Sequence, residues 1–235
     1  MKNHSIFPVG DQGISVSFGN RIDEEDHRKI VAMKEWILQH VFPGLKDVVI
    51  AYSSLTILYN AFEVQMHEKN VRPYEFVRSI LEEAFTAKEY HSEAPVKRIP
   101  VCYEEAFAPD LRAIAEIKKM SIADIIALHC ERTYRVFMIG FLPGFPYMAS
   151  VDDRLITPRK ARPAPSVTAG SVGIAGRQTG IYPVNSPGGW NIIGRTPTVM
   201  FNKESDTPCF LEAGDRVQFY PVSREVFQRL ASSGF

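Results

Sequence analysis

Nine of the 15 glycines and eight of the 16 prolines fall between Met138 and Met200. Glycine raises the entropic cost of a helix, and proline removes a helix donor and clashes with the preceding turn. No long helix survives that density. Between the breakers stand short β-type runs: SVGIAG (171–176), GIYPV (180–184) and TVMFN (198–202). Many brief strands joined by Gly/Pro turns predict a β-barrel or sandwich with long ordered loops.

The first ninety residues read differently. SIFPVG and GISVSFG are short strands broken at Asp11-Gln12-Gly13. Asp23 can cap a helix whose apolar positions Ile30, Met33, Ile37 and Val41 recur at three and four residues, with Pro43-Gly44 as its stop. KDVVIAYSSLTILYN alternates as two paired strands turning near Tyr52–Ser54. Pro73 stands at a first helical position, and Val77, Leu81, Ala84 and Phe85 continue an amphipathic face. Together these give an α+β unit, a small antiparallel sheet with helices on one side. The polar run TAKEYHSEAPVK (86–97) has no periodicity, which places domains at 1–90 and 98–235 with a linker at 91–97. After it come a strand, RIPVCY, and two short helices, PDLRAIAEIKKM and SIADIIALHCERT.

Several function classes are disfavoured. With 27 basic and 27 acidic residues the formal charge is +0, so there is no electrostatic footprint for nucleic acid and no basic amphipathic face for a membrane. No stretch has the length or apolarity of a signal peptide or membrane span. Three scattered cysteines, Cys102, Cys130 and Cys209, suit a reducing cytoplasm. No Gly-Lys pair exists, so there is no P-loop, and Gly170–Gly176 is not the dinucleotide fingerprint. Ser171 and Ser186 lie outside a Gly-x-Ser-x-Gly elbow. All six histidines precede residue 130, and only His129 is placed to face the β-rich half, as a helix-end structural residue rather than a base. No Cys-x-x-Cys, His-x-His or His-Glu-x-x-His marks a metal site, and no metal is expected. Ala32-Met33-Lys34 is similar to a biotin-attachment core, yet Lys34 falls inside a periodic helix instead of on a hairpin tip, so no biotin is expected.

Two features keep chemical interest. Pro187-Gly188-Gly189 either permits a tight β-turn or turns N–H groups inward as an anion nest. Arg154, Arg159, Lys160 and Arg162 crowd the proline-stiffened DDRLITPRKARPAP, either a solvated loop or a rigid site for a carboxylate or phosphate.

GFLPGFPYM (140–148), TPRKARPAPSVTAGSVGIAGRQTGIYP (157–183) and SPGGWNIIGRTP (186–197) resemble the family of the B-type (PxpB) component of 5-oxoprolinase. That family overlaps proteins labelled as the first component of allophanate hydrolase and the KipI-type inhibitors of a sporulation histidine kinase. YSSLT (52–56) and IPVCYEEAFAPDL (99–111) extend the resemblance over nearly the whole chain. It implies a ferredoxin-like α/β domain followed by a cyclophilin-like β-barrel. It also implies work with a homologous C-type (KipA-type) component and the A-type component of 5-oxoprolinase, with ATP as co-substrate, in cleaving 5-oxo-L-proline to L-glutamate. A lactam is a poor electrophile, so phosphorylating its oxygen supplies a leaving group, and the site needs fixed donors but no protein nucleophile.

Carried onto the matching motifs, the implied substrate- or phosphate-binding groups are Arg159, Gln178, Tyr182, Ser186, Gly188, Gly189 and Asn191. Trp190 is either a wall of that groove or barrel packing, and Tyr182 shares that alternative. Phe141, Phe145 and Tyr147 form either an exposed patch for the partner component or a plug in the barrel end. The alternative function is a regulatory protein that clamps a sporulation sensor kinase through an apolar patch. An allophanate hydrolase is disfavoured by the lack of an amidase Ser-Ser-Lys constellation.

Overall fold

The computed structural model describes residues 4–86 and 95–233. The chain divides into two compact units, Met1–Glu93 and Ala94–Phe235.

The first unit runs β1 (Ser5–Pro8), β2 (Gly13–Ser17), α1 (Glu24–Gln39), β3 (Leu45–Ile50), β4 (Ser54–Tyr59), α2 (Ala61–His67) and α3 (Pro73–Thr86). Its antiparallel sheet has the order β1-β2-β4-β3. Ile14 and Val16 lie opposite Ile57 and Leu55. That row is buried together with Ile30, Met33 and Ile37 of α1 and Val77 and Leu81 of α3. Each fully buried Ile or Leu contributes on the order of 2 kcal/mol. The Asp23 side chain caps α1 through the N–H groups of Glu25 and Asp26, as its residue type predicts. Val41, however, lies beyond the helix end and is 70% exposed. The backbone N–H of His40 closes the helix on Ile37 and Trp36 carbonyls three residues before Pro43. The short helix α2, capped by Asn60, had no sequence-level expectation. The element order is ββαββαα, where βαββαβ is the usual ferredoxin-like order. Here β1 occupies the edge beside β2, ahead of the rest of the sheet in sequence.

The second unit begins with β5 (Val96–Val101), so Val96 and Lys97 of the expected linker belong to a strand. Residues 91–94 of that linker lie outside the described residues. Then follow α4 (Leu111–Lys118), α5 (Ile122–Glu131), β6 (Thr133–Ile139), β7 (Pro146–Ala149), β8 (Ala164–Val167), β9 (Ser171–Ala175), β10 (Gln178–Ile181), β11 (Ser186–Gly188), β12 (Asn191–Arg195), β13 (Arg216–Pro221) and α6 (Arg224–Ser232). Seven strands make one sheet in the order β12-β9-β10-β7-β6-β13-β5, and β8 and β11 form a separate ribbon. Among the described strands only the β13–β5 pair is parallel.

The large sheet curls until its edges meet. Cys102, just past β5, pairs with Arg195 at the end of β12, each N–H reaching the other's carbonyl at 2.8 and 3.0 Å. Gly194 makes this seam possible, since a Cβ there would stand 2.6 Å from Val101 Cγ1 and 3.0 Å from the Cys102 carbonyl. This curled sheet fits a cyclophilin-like fold. Alternation sends Val172, Ile174 and Ile193 into the main core with Val136, Met148, Val217 and Phe219. Ala175 and Ile192 face the other way, into a second core with Phe145, Val167, Tyr182 and Trp190. Strand β9 is therefore covered on both faces, which explains its unbroken burial.

Candidate functional site

The cationic loop expected from sequence is held at three successive points. Thr157 bridges to Gly176, the Asn191 Nδ2 donates to the Pro158 carbonyl at 2.8 Å, and the Lys160 N–H donates to the Gly189 carbonyl at 2.8 Å. Lys160 Nζ then pairs with Asp110 Oδ2 at 2.6 Å. Between these anchors the Arg159 guanidinium lies 5.9 Å from the centre of the Trp190 ring. A cation over an indole face at this range is favourable, about 0.5–1 kcal/mol where exposed.

Under Arg159 is an aromatic stack. Phe145 meets Trp190 edge-on at 5.3 Å and Tyr182 edge-on at 5.2 Å, and Tyr147 meets Trp190 at 5.8 Å. Burial pushes the Tyr147 hydroxyl up in pKa, while its hydrogen bond with Arg159 pulls the other way. Phe141 stands at the rim, 62% exposed, in the left-handed region at φ +68. The Leu142 N–H donates to the Gly140 carbonyl at 2.8 Å and closes a three-residue turn around it. A non-glycine residue held in that region costs on the order of 1–3 kcal/mol, which the surrounding turn must offset.

The structure thus gathers Arg159, Tyr147 and Trp190, with Phe141 joining the stack through Phe145 at 5.7 Å, and corrects several expectations. Phe145 is wholly buried and plugs the barrel wall, unavailable to a partner. Tyr182 is only 1% exposed and does not line a groove. Its hydroxyl sits beneath Gly188, where a Cβ would come within 2.7 Å of Tyr182 Cζ, and it shares a hydrogen bond with the Trp190 backbone. Trp190, 4% exposed, is packed in that same core and offers Arg159 a ring face. Asn191 spends its amide hydrogens on the Pro158 and Ile174 carbonyls, which makes it a tether for the loop. Neither Gly188 nor Gly189 adopts the left-handed φ of an anion nest. Gln178, which opens β10, and Ser186, opposite Val167 on the ribbon, share no described contact with Arg159. The Ser186 Oγ is buried without a hydrogen-bond partner. Two open depressions of about 420 and 530 Å³ are lined by other residues, one around His4 and Phe85 and one around Asn202 and Phe210.

Asp110 was invisible to sequence reasoning. It occupies the N-cap position of α4, yet its carboxylate makes no capping bond. Oδ2 instead accepts from the Ile192 N–H at 2.6 Å as well as from Lys160. The only sequence signal was an aspartate before a helix, which points to a cap.

His129 is fully buried. Nδ1 lies 2.8 Å from the Tyr103 hydroxyl and Nε2 2.9 Å from Thr179 Oγ1, with Phe219 stacked at 4.5 Å. Burial lowers its pKa to about 3. A group so buried and so reluctant to accept a proton is a structural bridge between α5, β10 and the chain after β5.

Lys34 lies mid-helix in α1, above buried Met33. Among the described residues no group of three or more His, Cys, Asp or Glu is arranged to hold a metal, and no helix is long and apolar enough to cross a membrane.

A curled barrel paired with a two-stranded ribbon, carrying one tethered arginine over packed aromatics, defines a class of domain. The chain belongs to the family of the carboxyltransferase domain, subdomain C and D, which matches residues 4–211. More particularly, it is similar to the B-type component of 5-oxoprolinase from Bacillus subtilis (strain 168), 39% identical over 226 residues and covering 94% of each chain. The crystal structure of TTHA0988 superposes with a TM-score of 0.80 at 36% identity, over 90% of this chain and 40% of that one. This chain therefore spans well under half of that protein. The Kluyveromyces lactis urea carboxylase superposes with a TM-score of 0.75 over 98% of this chain and 23% of that chain, at 18% identity, a likeness of fold.

Proposed function

We propose that this chain is the B-type component of an ATP-dependent 5-oxoprolinase and works with a homologous C-type component and an A-type component to convert 5-oxo-L-proline to L-glutamate. The observation that carries this reading is the likeness to the B-type component of a 5-oxoprolinase over 94% of both chains. The geometry supports a protein that binds and orients. Arg159 offers a fixed guanidinium above an aromatic wall, and His129 is too buried to serve as a base for any serine. In this scheme the lactam oxygen takes the γ-phosphoryl group from ATP, water adds to the activated ring carbon, and the C–N bond breaks to free the amine. A second water then releases phosphate. ADP, phosphate and glutamate are the products. The N-terminal unit reads as a ferredoxin-like sheet in which β1 supplies the edge strand. The free cysteines suit a cytoplasmic setting.

Reconstitution tests this. The purified chain is mixed with candidate C-type and A-type components, ATP and 5-oxoproline, and glutamate is measured. Glutamate should form only when this chain is present; an equal yield without it sinks the proposal.

A second reading, an inhibitor that grips a sensor kinase, draws on the face of the N-terminal sheet where Phe7, Val49 and Leu58 are exposed. Phe7 and Val49 share one cross-strand row through Ser15 and Thr56. Kinase autophosphorylation with the chain in micromolar excess decides it, and undiminished phosphorylation rejects it.

A further inference from the structure

We infer that the Arg159 platform is a monocarboxylate subsite, and that Asp110 keeps polyanions out of it by withholding Lys160. The inference rests on the proposed function in assigning Arg159 to ligand binding, and it fixes which part of the reactants that residue receives.

The charge inventory of the region carries it. Arg154 and Arg132 both pair with Asp152, at 2.8 and 3.3 Å. Arg177 pairs with Asp153 at 2.7 Å, and the Arg195 Nε donates to the Ala169 carbonyl at 2.8 Å. Lys160, next in sequence to Arg159, is neutralised by Asp110. Arg162 is exposed and has no described contact with the aromatic stack. Among the described residues Arg159 pairs with no carboxylate, so one positive charge stands beside the partly exposed ring of Tyr147. A triphosphate is recognised by several cations or by a row of backbone N–H groups at a helix N-terminus or nest. This platform has neither. A lone planar guanidinium beside an aromatic wall matches a single carboxylate, held by two parallel N–H···O bonds, on a small ring that packs against the wall. The carboxylate of 5-oxoproline has that form, and the phosphates of ATP do not.

Asp110 decides the selectivity. As an N-cap aspartate it would normally bond the first turn of α4. Here that bond is forgone, and the carboxylate fixes β12 through Ile192 and Lys160 through its ammonium. Were Lys160 free, it would add a second cation one residue from Arg159. Asp110 is thus a positioning residue for the loop and sets its charge.

The test uses the full chain carrying Trp36→Phe, which leaves Trp190 as the sole tryptophan of the two. 5-Oxoproline and inorganic tripolyphosphate are titrated separately, with Trp190 emission and calorimetric heat as readouts. 5-Oxoproline should bind, and Arg159→Ala should weaken it by about tenfold or more, as expected for a lost charge-assisted bond. Tripolyphosphate should bind poorly to the parent and about tenfold better to Asp110→Asn, a gain that a merely structural role would not produce. Equal affinity of the parent for both ligands overturns the inference, as does unchanged 5-oxoproline binding in Arg159→Ala or no gain in folded Asp110→Asn. If Asp110→Asn does not fold, Lys160→Met replaces it. Its tripolyphosphate binding should stay as poor as the parent's, and a gain of about tenfold would show that withholding Lys160 is not what excludes polyanions and overturn the idea. Failure here with glutamate still formed by the reconstituted mixture rejects the subsite alone. Binding as expected with no glutamate formed rejects the function and leaves the subsite standing.

Discussion

Replacing His129 with glutamine should flatten the acid side of the stability curve of the barrel unit. Thr179 has one hydroxyl proton, which it donates to the Gly173 carbonyl at 3.1 Å, so Thr179 Oγ1 must accept from His129 Nε2. The unprotonated nitrogen is then Nδ1, which accepts from Tyr103, and the ring is neutral. Charging it would need a second N–H at a site that offers a hydroxyl proton, inside a fully buried core. Burial accordingly lowers the His129 pKa from 6.5 to about 3. A lowered folded-state value means that the unfolded chain takes the proton first. Stability is complete above the unfolded value of 6.5 and is lost as pH falls from there toward 3. At 1.36 kcal/mol per unit, a step from pH 7 to pH 5 removes about 2 kcal/mol through this one residue. Urea unfolding in the Trp36→Phe background, followed by Trp190 emission, reports the barrel unit. His129→Gln will have its own cost at pH 7, but its loss of stability between pH 7 and 5 should be smaller than the parent's by about 2 kcal/mol. The other titrating groups are common to both proteins and cancel. Parallel pH profiles would refute the buried neutral imidazole.

Gly194→Ala places a Cβ 3.0 Å from the Cys102 carbonyl, and should cost roughly 1–3 kcal/mol of barrel stability by calorimetry or urea unfolding; an unchanged midpoint would mean that the seam is looser than described. Gly188→Ala drives its methyl group into the Tyr182 phenol, and adding Tyr182→Phe should recover part of the loss, so a double-mutant cycle with no coupling would place the hydroxyl elsewhere. Asn191→Ala cuts the tether to Pro158 and should raise KM for 5-oxoproline in the reconstituted complex more than it lowers kcat, with a folded barrel by circular dichroism; wild-type kinetics would separate loop position from substrate binding.

The division into an α+β unit and a glycine-punctuated β unit was legible because periodicity and turn chemistry are local. The α1 stripe, the Asp23 cap and the strands around Gly173 and Gly180 followed from residue spacing alone. Side-chain direction within the strands was less accessible. Whether Tyr182 faces a groove or a core depends on the register of β9, β10 and the ribbon, which is set by partners far away in sequence. Asn191 was recognisable as polar and well placed, but a backbone carbonyl on an irregular loop leaves no sequence trace, so a tether read as a ligand contact. Asp110 was harder still. An aspartate at that position is the residue type of a helix cap, and tertiary pairing with Lys160 overrides the local preference. Val41 continued the apolar spacing of α1, while the approach to Pro43 ended the helix before that spacing could place it in the core.

The single bridge between Cys102 and Arg195 also governs when the fold can be finished. It joins the first strand of the barrel unit to the last of its glycine-rich segment, and β13, made later still, must seat between β5 and β6. Loop closure over such a span is entropically costly, and pairings of this kind form late. A chain interrupted before Asn191 would leave β5 and β9 each with an open hydrogen-bonding edge, and open edges recruit other strands. Since β13 is the strand that pairs with β5, the interval before β13 emerges is the one in which a growing chain is most exposed to mispairing.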